Sequence, residues 1–97
     1  MEENYIVITD NNNNNYGILK VCSKYSLSAI SHILKGHILD MFENEENFFR
    51  DFSSNLSKVL EVFDSEVGKQ GITAYTSFYY NNTDFLNIDN VGFKEKI

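Results

Sequence analysis

The sequence predicts an α+β fold with the element order β-β-α-α-β-β. Three observations carry this. Two short runs rich in β-branched and aromatic residues open the chain, around Tyr5-Ile6-Val7-Ile8 and Ile18-Leu19-Lys20-Val21. Apolar residues then recur at spacings of three and four through the middle, the helical period. A third such run, Ile72 to Tyr80, brings back strand chemistry near the end. The simplest packing is a mostly antiparallel sheet of four or five strands with two helices on one face.

The elements follow in order. Asn4 to Thr9 reads as a strand, and Tyr16 to Cys22 as its hairpin partner. Asp10 and the run Asn11 to Asn15 lie between them. Asn tolerates positive φ and makes its own turn hydrogen bonds, so this stretch reads as a hairpin tip, or alternatively as a recognition loop. Ser26 is an N-cap for a first helix from Leu27 to Phe42, whose stripe is Leu27, Ile30, Leu34, Ile38 and Met41. Ile33 and Leu39 lie off that stripe, which gives this helix a second apolar side. Gly36 inside it costs about 1 kcal/mol relative to Ala and is expected to permit a close approach.

Asn44 caps a second helix, with Glu45 and Glu46 in the first turn, where the helix dipole favours acids. Phe49, Phe52, Leu56, Val59, Leu60, Phe63 and Val67 form its stripe, and Gly68 or Gly71 ends it. Ile72 to Tyr80 is the next strand. Asn81-Asn82 signals a hairpin turn, Asp84 to Ile88 is the return strand, and Val91 to Ile97 is an edge strand or tail. The sheet face away from the helices is expected to be partly open, with Tyr75 and Tyr79 on it.

Ninety-seven residues make one domain, residues 1–97, and 42% hydrophobic content with eight Phe and six Tyr argues for a packed core. No apolar run is long enough to span a bilayer, and the acidic start Met1-Glu2-Glu3-Asn4 lacks the basic opening of a secretory signal. Cys22 is the only cysteine, so no intrachain disulfide forms and a cytoplasmic location is expected.

The net charge of −6 sits in one stretch. Between Asp40 and Glu66 lie Asp40, Glu43, Glu45, Glu46, Asp51, Glu61, Asp64 and Glu66 against Arg50 and Lys58, and the rest of the chain cancels. Helical rise divides these acids into a corner cluster, Asp40 to Glu46, and a distal cluster, Glu61, Asp64 and Glu66, about 20–25 Å apart. Part of the corner cluster has a local explanation as dipole-favoured acids, and the rest could be a solvated helix face. An acidic field also attracts a cationic partner and repels a nucleic-acid backbone.

Chemistry is not marked. His32 and His37 point in nearly opposite directions on the first helix and cannot chelate one metal together. His37 falls at the edge of the apolar stripe, as a part-buried residue with one hydrogen bond. Cys22 has no strained elbow or oxyanion loop beside it and reads as a small buried hydrophobe. The acids from Asp40 to Glu46 lack the alternating ligands of a calcium loop, and no phosphate cradle occurs. The scattered lysines give no basic stripe for nucleic acid. No enzyme, metal or cofactor is expected.

In size, charge, expected compartment and lack of a catalytic motif, the chain resembles the small acidic toxin-immunity proteins of bacteria, of the contact-dependent growth inhibition type. The resemblance implies a basic protein partner, a toxin nuclease domain, bound through acidic residues that stand in for substrate phosphates. The expected partner-binding residues are Asp40, Glu43, Glu45, Glu46, Glu61, Asp64 and Glu66, with Tyr75 and Tyr79 as aromatic anchors. Two alternatives are a phage- or plasmid-encoded nucleic-acid mimic that blocks a defence nuclease, and a self-associating structural protein using Tyr75, Tyr79 and Phe93.

Overall fold

A computed structural model describes residues 4–75 and 82–94. The elements are β1 (Asn4–Thr9), β2 (Asn15–Val21), α1 (Leu27–Met41), α2 (Glu45–Arg50), α3 (Phe52–Val67), β3 (Ile72–Tyr75) and β4 (Thr83–Asn87). The fold is α+β, with a four-stranded sheet in the order β3-β2-β1-β4. The first hairpin forms as the sequence predicts, with Asn4 opposite Val21 and Val7 opposite Ile18. β3 adds antiparallel to β2, pairing Tyr75 with Ile18.

The sheet is mostly antiparallel, as expected, with one parallel pair on its far side. β4 pairs with β1 in parallel, Tyr5 opposite Thr83 through Thr9 opposite Asn87. β3 and β4 therefore occupy opposite edges and make no hairpin across Asn82. A turn signal reports local chain reversal only, whereas the partner of a strand is decided by which apolar surface it covers. Val91 to Lys94 form no strand. The predicted strand segment 76–80, including Tyr79, lies outside the described residues.

β1 is the centre of the molecule. Ile6 and Ile8 face the helices and join Leu19, Val21 and Leu86 in the core. Tyr5 and Val7 point to the other face yet are 1% and 0% exposed. The unbroken run Tyr5 to Ile8 thus suits a strand buried on both sides. The second sheet face is covered at β1 rather than open. It is open at Phe85, which is 54% exposed.

α1 follows its prediction closely. Ser26 Oγ accepts from Ala29 N at 3.2 Å, and Ile30, Leu34 and Ile38 are buried. Ile33 and Met41 pack at the margin of the same core. Gly36 meets nothing: a Cβ built there has no neighbour within 4 Å, so the expected close approach does not exist.

The predicted second helix is two helices. Asp51, at φ −133° and ψ 64°, breaks the run, so α2 ends at Arg50 and α3 starts at Phe52. The buried Asn55 holds the junction. Its Nδ2 donates to the carbonyls of Asn47 at 3.1 Å and Phe48 at 2.9 Å. Those are two of the last four carbonyls of α2, which helix geometry leaves without i+4 donors. Phe48 is the aromatic that this bend drives into the core, at 0% exposure, edge-on to Phe49 and Phe52. α3 ends at Gly68, one of the two stops the sequence offers. Gly17 on β2 makes room for the edge of the Phe52 ring: a Cβ there would stand 2.9 Å from Phe52 Cε2.

A candidate acidic cleft at the α2 corner

The residues that shape this corner begin with Asp10, at the end of β1 and 8% exposed. Its carboxylate accepts from Asn12 N at 2.8 Å, Asn14 N at 3.0 Å and Asn14 Nδ2 at 3.0 Å. The Asn14 side chain, opposed by burial and helped by the Asn14 and Asn12 amides and the Tyr16 hydroxyl, holds this carboxyl below the usual carboxylate range. The asparagine run is therefore a turn closed around one anion, with Asn13 at φ 62°. From the other side, Asn87 Nδ2 donates to Asp10 O at 2.6 Å and Thr9 Oγ1 at 3.2 Å, tying β4 to the same corner.

Across from the turn stands α2. Asn44 caps it, accepting from Asn47 N at 2.8 Å, which places Glu45 and Glu46 in the first turn as predicted. Phe49 stacks on Tyr16 at a ring separation of 4.0 Å, which fixes α2 against β2. Asp10, Tyr16, Glu45, Glu46, Phe49 and Arg50 together line a cleft of about 350 Å³. Three carboxylates face one guanidinium in it. The Arg50–Glu46 pair spans 3.5 Å between well-exposed side chains and neutralises little. Glu45 Oε2 is buried and has no hydrogen-bond partner among the described residues. Burial, then the charge of Asp10, push the Tyr16 phenol above its usual range, with Glu45 acting in the same direction.

The other expected site residues scatter. Asp40 pairs with Lys94 Nζ at 2.8 Å, and that lysine holds its carboxyl below the usual range. It is spoken for at the far end of α1, apart from the cleft. Glu43 is exposed and accepts from Asn47 Nδ2 at 3.3 Å. In the distal cluster, Glu66 Oε2 lies 2.9 Å from Nε2 of the part-buried His37, joining α3 to α1. Glu61 is exposed and Asp64 half-buried, neither with a basic partner among the described residues.

Tyr75 is half-buried, 5.7 Å from the Tyr5 ring and under Lys20 Nζ at 5.7 Å, so it serves the sheet before any partner. Phe93 packs against the core. Cys22 is exposed just past β2, contrary to the buried position expected. No group of three or more His, Cys, Asp or Glu placed to hold a metal occurs among the described residues. No helix among them is long and apolar enough to cross a membrane.

Sequence reasoning missed Asp10, Tyr16 and Phe49 as one surface. Asp followed by Asn at two and four positions was the available signal for a closed Asx turn. Nothing local reports that the turn lies against α2. No family model matches the chain, and neither does any curated protein or solved structure.

Proposed function

We propose that this chain is an inhibitor of the immunity type, which captures a basic toxin domain through the α2 corner and so neutralises it in the cytoplasm. The observation that carries this reading is the convergence of Asp10, Glu45 and Glu46 with the Tyr16–Phe49 stack around one surface cleft. Glu45 is half-buried, and an incoming cation that pairs with its carboxylate offsets the cost of burying that charge. An arginine fits best, because its planar guanidinium pairs with carboxylates and stacks on aromatic faces. Tyr16, 41% exposed, offers such a face beside Glu45 and Glu46. The acids then act in capture, by steering the partner, and in the bound state, by occupying cationic groups that would otherwise meet substrate phosphates.

The reading assigns no catalytic step and no cofactor to this chain. Asp40 has a structural role in it, through Lys94, and Tyr75 a supporting role in the sheet.

The test is protection. The product of the adjacent gene is expressed with and without this chain, and growth and nucleic-acid integrity are followed. Wild-type chain should protect. The triple substitution Glu43→Lys, Glu45→Lys and Glu46→Lys should fold, by circular dichroism, and lose protection. A folded triple variant that protects fully would overturn the corner as the capture site.

A further inference from the structure

A second concave surface lies between the first half of α1 and the last turn of α3. Its floor is Ile30 and Phe63, each 1% exposed. Ala29, Ile33 and Val67 form the walls and Tyr25 and Glu66 the rim, enclosing about 370 Å³. That is the lower end of the range for ligand sites, enough for one large side chain and its neighbour. No lysine or arginine among the described residues lines it. Among the described residues Glu66 is the one charged residue on its rim, its side chain 61% exposed and its Oε2 2.9 Å from His37 Nε2.

Charge selects the occupant. A second copy of this chain would bring a net charge of −6 toward Glu66, and a nucleic acid or an anionic membrane would bring more. A basic amphipathic segment brings the opposite sign and an apolar side chain together. We propose that this groove receives such a segment of the protein partner: a phenylalanine or leucine seated on Ile30 and Phe63 between Ile33 and Val67, with the adjacent arginine or lysine paired to Glu66. The proposal rests on the capture reading above. It adds that Glu66, of the distal acids, works with an apolar anchor rather than alone, which is the arrangement that gives interface hot spots their strength.

The probe is N-acetyl-phenylalanyl-arginine amide, titrated into the full chain and followed by methyl and backbone NMR. Saturable shifts are expected at the Ile30, Ile33 and Val67 methyls, with N-acetyl-alanyl-arginine amide giving none. Ala29→Phe fills the groove from an exposed helical position and should weaken the dipeptide at least roughly tenfold, the loss expected when a buried aromatic anchor is excluded. Glu66→Gln should weaken it about threefold, in keeping with one exposed ion pair. It also serves if Ala29→Phe fails to fold. Absence of saturable methyl shifts, shifts centred on Tyr16 and Phe49, or unchanged affinity in both variants would overturn the groove. The titration contains no toxin. A chain that fails to protect but seats the dipeptide refutes the capture reading alone, and one that protects but does not seat it refutes the groove alone.

Discussion

Removing the Asn55 side chain should loosen the bend that sets the acidic corner. Asn55→Ala deletes donors to the carbonyls of Asn47 and Phe48, at 3.1 and 2.9 Å. Two neutral hydrogen bonds, one buried and one part-buried, contribute a net of about 0.5–1.5 kcal/mol each, so the loss is roughly 1–3 kcal/mol. Alanine returns about 0.5 kcal/mol through its better helix propensity in α3. The balance centres near 1.5 kcal/mol of destabilisation, which lowers the Tm of a domain this size by roughly 6–12 °C. Differential scanning calorimetry reads that number, and amide exchange over 45–52 reads where it acts. Asn55→Asp should be worse than Ala, because a carboxylate has no donor and would face two carbonyl oxygens. If Asn55→Ala melts with the wild type and α2 amides keep their protection, the bend does not depend on this side chain and the reasoning is wrong.

Three further outcomes follow. Gly36→Ala should stabilise by about 0.5–1 kcal/mol, since the position is an exposed helix interior with open space around it. Gly17→Ala should destabilise, because the new methyl meets the Phe52 ring; urea midpoints compare the pair, and matching shifts in both would contradict the packing on β2. Asp10 has a folded-state pKa held below its ordinary value, so its contribution is complete above the unfolded pKa of about 4 and is lost as pH falls through the folded value. The stability gap between wild type and Asp10→Asn should accordingly be constant in urea melts at neutral pH and narrow in acid below about pH 4, and a gap that persists unchanged in acid would show that the carboxylate charge does not hold the turn.

Where local chemistry decided the outcome, the sequence was a good guide. Ser26 and Asn44 cap the helices they were expected to cap, and the Ile30, Leu34, Ile38 spacing found the buried side of α1. The second stripe runs through Phe49 and leaves out Phe48, which stands four residues before Phe52 and is the one of the two that is fully buried. The break at Asp51 was not legible, since neither Gly nor Pro marks it. It depends on Asn55 reaching back seven and eight residues, a choice between helix continuation and side-chain bonding that spacing alone does not report. The parallel pairing of β4 with β1 was hidden for a related reason. Asn82 reads as a turn wherever the next strand goes, and only the burial of β1 on both faces explains why β4 is drawn beside it.

The charge pattern changed most on folding. Seven acids looked like two patches. The structure assigns Asp40 to Lys94 and Glu66 to His37, and gathers Glu45 and Glu46 with Asp10 around an aromatic stack. What distinguishes this corner from an ordinary solvated face is the Tyr16–Phe49 stack set among the acids and a Glu45 oxygen with no hydrogen-bond partner among the described residues, rather than the number of acids.

Stopped-flow association of this chain with the protein encoded beside it tests the capture reading most directly. The chain is compared with its Glu45→Lys, Glu46→Lys variant from low to high salt. The account predicts fast association at low salt that slows steeply as salt rises, and at least a roughly tenfold slower rate for the variant at low salt, with the two converging at high salt. Equal rates for both proteins, unchanged by salt, would contradict it.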